Sequence, residues 1–304
     1  MSHRDLRVVS VSLGSSHRNA ERSMMLLGRT VHVERIGVDG DLDQAAQVLA
    51  SRRAEVDAFG LGGTDLLLHA AEKTYLFKES ARLARAAGDT PIVCGAGLKR
   101  TLERRAVAAL DARLGWRGKR ILIPSAVDRW GMAETLEGYG AQLRIADLAF
   151  LLGLPVTFGR LERFKPWVRA IAPVATRLPV RWLYPTGASQ RTSRRGWRSR
   201  LWDGVDVAAG DFHLIRRDMP DRLDGFGILT NTTTEDDLRE LWSRGAAWVA
   251  TTTPRIDGRS LPTNLLEAAF VAVSGGRHLT EGELRKRVDE AALLPSLVFN
   301  PRAA

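Results

Sequence analysis

Short runs that are apolar throughout recur along the first half of the chain: Val8–Leu13, Val31–Ile36, Val56–Leu61, Ile92–Cys94, Ile121–Ile123 and Leu143–Ala146. Strands buried on both faces of a parallel sheet need such unbroken apolar character, whereas a half-exposed strand alternates. Ala- and Arg-rich stretches with helical character lie between them, such as Arg100–Leu114 and Met132–Tyr139, and Leu66–Phe77 has the outline of a small hairpin. The alternation resumes after Leu201, with strands at Val205–Ala209, Gly227–Thr230 and Ala247–Thr251 and helices near Glu235–Arg244, Asn264–Ser274 and Glu281–Ala292. The pattern predicts an α/β fold of two Rossmann-like blocks with mostly parallel sheets. An N-terminal domain is expected over 1–115 and a second over 116–159 and 203–304, with a basic, Trp/Arg-rich insertion at 160–202.

A chain of 304 residues that is 44% hydrophobic is long enough for two such cores. The single cysteine, Cys94, excludes an internal disulfide, and the start MSHRDLRVVS lacks the apolar core of a signal peptide. No run approaches the ~20 apolar residues that cross a bilayer. The expectation is a cytoplasmic protein, with a peripheral place on the inner face of the membrane left open.

Charge changes the picture because it is localised. The net charge is +10, and eleven Lys/Arg against Glu162 alone fall between Arg160 and Leu201, leaving 34 basic and 34 acidic residues elsewhere. In that segment arginines alternate with Phe164, Trp167, Trp182, Tyr184, Trp197 and Trp202, and Pro166, Pro173, Pro179 and Pro185 are expected to prevent one long regular helix. Three readings stay open: an anionic membrane surface with aromatic rings at headgroup level, nucleic acid, or a lid whose apolar face packs on the protein. A nucleic-acid partner is not expected, and a homo-oligomer is allowed.

Candidate chemistry gathers at the ends of the predicted strands. KRILIPSAVDRWGMAETLEGYGAQLRIADLAF (119–150) has the outline of a dinucleotide-binding unit, with Ser125–Gly131 standing where G-x-G-x-x-G is usual and Asp147 where a ribose-binding carboxylate comes. Ser125, Asp128, Arg129 and Gly131 are candidates for cofactor phosphates, and Asp147 favours NAD over NADP; helix capping by Asp128 is the rival reading. In PIVCGAGLKR, Lys99 is placed to act as acid/base or anion anchor behind Gly95 and Gly97. GLGGTD (60–65) permits a backbone-lined concavity. In GDFHLIRRD, an extended chain points Asp211 and His213 to one side. TNTTT and TTTPRIDGRSLPTN supply Thr232, Thr252, Thr253, Arg255, Arg259 and Asn264 as a grip for an anionic small-molecule substrate, with capping of the next helix as the alternative. No metal is expected, since the histidines are scattered.

The strings VVSVSLGSS, GLGGTD, PIVCGAGLKRTLERRA, VDRWGMAETL, WLYPTG, AGDFHLIRR, TNTTT and TTTPRIDGRS together resemble bacterial quinate 5-dehydrogenases over nearly the whole chain. The resemblance implies an NAD(P)-dependent oxidoreductase acting on a hydroxylated carboxylic acid, with Lys99, Asp211 and His213 catalytic and Arg255 or Arg259 on the substrate carboxylate. The alternative is a peripheral membrane protein that takes an anionic lipid or lipid-linked ligand through 160–202.

Overall fold

The computed structural model describes residues 4–178, 197–256 and 259–301, and only the backbone at 255, 256, 259 and 260. The chain enters through β1 (Leu6–Ser12), a hairpin of β2 (Ala20–Leu26) and β3 (Arg29–Gly37), α1 (Leu42–Arg52) and β4 (Ala58–Gly62). A small hairpin, β5 (Leu67–Ala70) and β6 (Lys73–Leu76), then α2 (Lys78–Ala86) and β7 (Ile92–Val93) complete the first part. Its sheet has the order β2-β3-β1-β4-β7, parallel except for the edge strand β2. Both faces of β1 are buried, as its unbroken apolar run requires: Val9 and Val11 pack with Ala45, Leu49 and Leu83 on one side, and Val8 joins Leu98, Leu265 and Phe270 on the other.

Helix α3 (Ala96–Leu114) leads into the second sheet. There follow β8 (Arg120–Ile123), α4 (Trp130–Gly138), β9 (Gln142–Ile145), α5 (Asp147–Leu152), α6 (Leu161–Ala175), a 3₁₀ segment Trp197–Trp202, β10 (Val207–Gly210), α7 (Phe212–Asp218), β11 (Gly227–Thr230), α8 (Glu235–Ser243) and β12 (Trp248–Thr251). The chain ends with the short hairpin β13 (Arg255–Ile256) and β14 (Arg259–Ser260), then α9 (Thr263–Val273), α10 (Glu281–Glu290) and β15 (Ser296–Phe299). The second sheet has the order β15-β12-β11-β10-β8-β9, antiparallel only at β15. The fold is therefore α/β with two mostly parallel sheets.

Strand order reverses once in each sheet. The chain goes from β1 outward to β3 and returns to β4 on the far side; it goes from β8 to β9 and returns to β10. Loops leaving the carboxyl ends of two such strands turn to opposite faces and leave a crevice between them.

The C-terminal helices do not stay with the second sheet, which is where the sequence boundary 203–304 put them. Helix α9 crosses back to lie on β1, β3 and β4, and α10 packs on α3. Every residue from Thr263 to Ala272 is buried, so α9 needs walls all round, and the open face of the first sheet supplies them. Three glycines make room for its start: a Cβ on Gly60, Gly62 or Gly95 would lie 3.0, 3.1 or 2.7 Å from Asn264.

The described part of the basic insertion also differs from expectation. Helix α6 runs unbroken through Pro166 and Pro173. Each proline removes one ladder N–H, but Leu161, Phe164, Val168 and Ala172 are buried, with Phe164 stacked 6.3 Å from Trp130 and 5.2 Å from Phe158. Lys165 and Arg169 pair with Glu72 of the small hairpin, and Trp202 is buried near Phe226. Much of the apolar face that membrane docking through α6 would need is thus buried on the protein itself, although Trp167 and Val174 remain exposed. Residues 179–196, with Trp182 and Tyr184, lie outside the described residues.

Candidate ligand-binding crevice between the two sheets

The two points of strand reversal face each other. Ser12, Gly14 and Asp65 after β1 and β4, Arg18 and Arg35 beside them, Asp128 and Arg129 after β8, and Asp211 and His213 after β10 line one space, which the start of α9 closes at Pro262–Asn264. This inner space, ≈ 180 Å³, shares Arg18, Arg35, Asp211, His213, Asn231 and Thr232 with a wider one of ≈ 520 Å³ that runs out past Arg22, Arg216 and Thr230–Asp237.

The floor is a buried ionic cluster. Lys99, in the first turn of α3, donates to Asp65 at 2.8 Å and to Asp128 at 3.1 Å, joining the first sheet to the second. Arg129 lies 3.3 Å from Glu103, 3.3 Å from Asp128 and 3.1 Å from Asp211. Two cations thus serve four carboxylates, and burial decides which of these keep a charge. It pushes Asp128 up to about 6 and Glu103 up to about 7 despite the neighbouring cations. Burial also opposes the charge on Asp65, but Lys99 overrides it and holds that carboxyl low; the charges of Arg129 and Lys99 and the Leu214 amide hold Asp211 low against the same opposition. Desolvation works against the Lys99 ammonium, yet Asp128 and Asp65 raise it well above an ordinary lysine, so it stays charged at any working pH.

The mouth is different. Arg35 donates to Ser15 O and to Ser12 Oγ, both at 3.0 Å, and Arg18 reaches His213 Nε2 at 3.4 Å. Among the described residues neither guanidinium has a carboxylate within ion-pair distance. Burial first and the Arg18 charge second push Arg35 down to about 10. A guanidinium has only donors, so His213 must present its lone pair at Nε2 and carry its proton on Nδ1, an atom that is buried without a partner. Burial, reinforced by Arg18, lowers the His213 pKa and keeps the ring neutral.

Lys99, Asp128, Arg129, Asp211, His213, Thr232 and Asn264 do meet in the crevice. Asp211 does so as the N-cap of α7, accepting from the amides of His213 at 2.9 Å and Leu214 at 3.3 Å, and not by alternation along an extended chain. Ser125 is buried away from the crevice, and Gly131 lies against the Arg100 carbonyl, where its missing side chain admits α3. Asp147 opens α5 and accepts from the amides of Ala126 at 2.8 Å and Val127 at 2.9 Å; burial pushes it up to about 7. Thr252 and Thr253 are buried, bonding Asn231 across the strand ends, and Asn264 donates to Ser10 Oγ at 2.6 Å. Arg255 and Arg259 stand on the β13–β14 hairpin, and their side chains lie outside the described residues. No cluster of metal-binding side chains occurs among the described residues.

Sequence reasoning missed Arg18, Arg35 and Ser12, and had no role for Glu103 in the floor. The available signal was positional: SLGSSHR follows the first strand and Arg35 ends the third, the two places a strand reversal exposes. The Gly-x-Gly turn before Lys99 is likewise spoken for, because the buried Glu267 accepts from the Leu98 amide at 3.1 Å and occupies the start of α3.

The chain belongs to a family described as a domain of unknown function, DUF8754, whose model matches residues 97–299. A second model, the domain of unknown function DUF8753, matches residues 7–94, so the seam falls at Gly95. No curated protein matches. Among solved structures, the chain is similar to a sugar transport substrate-binding protein from Bordetella parapertussis, at 13% identity and a TM-score of 0.35, covering 86% of this chain and 77% of that one. A Mycobacterium smegmatis protein in complex with β-D-fucofuranose has 11% identity and a TM-score of 0.35, covering 98% and 92%. The arabinose-binding component of a transporter from Shewanella sp. ANA-3 has 10% identity and a TM-score of 0.37, covering 94% and 97%.

The expected NAD(P)-dependent oxidoreductase is corrected on these findings. The amides that would receive a pyrophosphate at 126 and 127 are bound by Asp147, whose carboxylate therefore does not reach toward a ribose, and Ser125 is enclosed. The residues present do not fit a dinucleotide at that turn. The membrane-binding alternative is corrected as well: Leu161, Phe164, Val168 and Ala172 of α6, which it would have turned to a bilayer, are buried against the protein.

Proposed function

We propose that the chain binds a small anionic molecule in the crevice between its two sheets. One observation carries this: Arg18 and Arg35 converge on a cavity of ≈ 520 Å³ with no carboxylate among the described residues within ion-pair distance of either, and burial and the Arg18 charge push Arg35 down to about 10 against the weaker opposing pull of Asp39. An arriving carboxylate or phosphate relieves that repulsion and takes paired hydrogen bonds from the guanidinium fork. The floor cations Lys99 and Arg129 are already taken by four carboxylates, so the positive charge open to a ligand is at the mouth. Ser12 and the backbone oxygen of Ser15 hold Arg35 in place and leave its remaining donors for the ligand.

Thermal melting at fixed ionic strength tests the proposal. Inorganic phosphate or citrate is expected to raise the midpoint, neutral glucose to raise it less, and Arg35→Met to abolish the anion response, since a ligand that binds only the folded state stabilises by mass action. Wild-type protein that ignores every anion, or an Arg35→Met variant that responds like wild type, overturns it.

A further inference from the structure

We infer that the crevice carries a second subsite, for hydroxyl groups, at the end of β11, so that the ligand is a polyhydroxylated anion: a sugar phosphate or a sugar acid. The inference rests on the anion-binding reading and specifies its substrate class.

Part of the cavity lining is built from Thr230–Thr234 and the first turn of α8. Thr230 is 1% exposed and Thr233 3% exposed, both line the cavity, and neither hydroxyl hydrogen-bonds any described group. The adjacent strand shows that this is local. At the end of β12 the same residue type is satisfied: Thr251 Oγ1 donates to Thr253 O at 2.8 Å and Thr253 Oγ1 to Asn231 O at 2.7 Å. A buried hydroxyl left without a partner is destabilising; these two are covered in the ligand-free chain, and rotation about χ1 would turn each toward polar groups of a ligand in the cavity.

Charge says which polar groups. Asp236 and Asp237 line the same stretch, Asp237 accepting from the Thr234 amide at 2.8 Å and lying 3.6 Å from Arg216, which also lines the cavity, and Asp236 paired with Arg239. Carboxylates repel a second anionic group but accept from ligand hydroxyls, and threonine hydroxyls both donate and accept, as sugar hydroxyls do. The cavity lining therefore combines two arginines without carboxylate partners among the described residues, Arg18 and Arg35, with the hydroxyl-bearing stretch Thr230–Thr234 and the ion-paired Asp236, Asp237 and Arg216. Its ≈ 520 Å³ falls in the size range of small-molecule sites.

Calorimetric titration of the full chain with five probes tests this: inorganic phosphate, methyl phosphate, ribose 5-phosphate, glucose 6-phosphate and D-gluconate. At least one of the three hydroxylated anions is expected to bind about tenfold or more tighter than methyl phosphate. Whether that one is a phosphate or gluconate identifies the head group. The double variant Thr230→Val, Thr233→Val should remove most of that advantage while leaving methyl phosphate unchanged, and should melt at or above the wild-type temperature, because it deletes two unpartnered hydroxyls. Methyl phosphate binding as tightly as every hydroxylated anion, or an advantage unmoved by the double variant, overturns the hydroxyl subsite and leaves the anion reading standing. A drop in melting temperature for the double variant shows that the hydroxyls serve the fold, and also overturns it. If no probe binds wild type, inorganic phosphate included, both readings fall together.

Discussion

The floor and the mouth of the crevice hold the same kinds of side chain in opposite states of charge balance. At the floor, Lys99 and Arg129 are enclosed by Asp65, Asp128, Glu103 and Asp211. At the mouth, Arg18 and Arg35 meet a histidine and backbone or hydroxyl oxygens. Charges with partners already in the fold tie its two sheets together; charges without them are available to something that arrives. Perturbed titration by itself does not separate the two cases, since both regions show it. Compensation does.

The sharpest way to break the comparison is to uncompensate the floor. Replacing Lys99 with methionine leaves Asp65 and Asp128 facing each other in a buried site, and removing one partner of such a set costs about 3–5 kcal/mol. Denaturant unfolding at pH 7 should show that loss, with partial recovery at pH 5, where Asp128, already pushed up to about 6, takes a proton. A variant as stable as wild type would mean that the cluster does not hold the sheets together.

The next effect is a pH dependence. Burial pushes Glu267 from 4.5 up to about 7, against the opposing pull of the Leu98 amide. A folded-state value above the unfolded one means that its stabilising contribution is fully present below pH 4.5 and is lost as pH rises through about 7. At 1.36 kcal/mol per unit the difference is on the order of 3 kcal/mol. Unfolding free energies of Glu267→Gln should vary less between pH 5 and pH 8 than those of wild type by roughly that amount. An identical slope in the two proteins would remove Glu267 from the account.

A smaller effect separates packing glycines from ligand glycines. Gly95 has φ +86°, and a Cβ there would sit 2.7 Å from the Asn264 amide nitrogen, so Gly95→Ala should cost about 1–3 kcal/mol. Gly138, with nothing within 4 Å, serves as the control: alanine there should stabilise by about 0.5–1 kcal/mol. Equal effects at the two positions would contradict the tight seat described for α9.

Those glycines also show how far the sequence was readable. The unbroken apolar runs located the parallel strands to within a residue or two, because burial on both faces leaves a composition that nothing else in the chain shares: Gly227–Thr230 was read as it stands, and Ile121–Ile123 lacked only Arg120. The hairpin at Leu66–Phe77 was legible for the same local reason. What local pattern does not carry is which sheet a helix joins. Helix α9 reads as a continuation of the second block, and only its apolar run Leu265–Ala272, interrupted by Glu267 alone, hints that it must find two walls. The site was half legible: Lys99, Asp128, Arg129, Asp211 and His213 announce themselves by type next to strand ends, but that they compensate one another is a long-range fact. The unpaired arginines were invisible because being unpaired is a property of the surroundings and not of the residue.

The smallest expected change in stability is the most informative about function. Arg35→Met removes a charge that burial and Arg18 both disfavour, together with two hydrogen bonds, to Ser15 O and Ser12 Oγ. The methionine keeps much of the apolar stem's packing, so the two effects nearly cancel, and the ligand-free variant should fall within about 1 kcal/mol of wild type. With phosphate or a sugar phosphate present, only the wild type gains, by an amount that grows with the logarithm of ligand concentration once binding saturates. Denaturation curves taken across a ligand series should therefore start together and diverge. If they start several kcal/mol apart, Arg35 belongs with the floor as a structural charge, and the distinction between compensated and uncompensated regions loses its functional meaning.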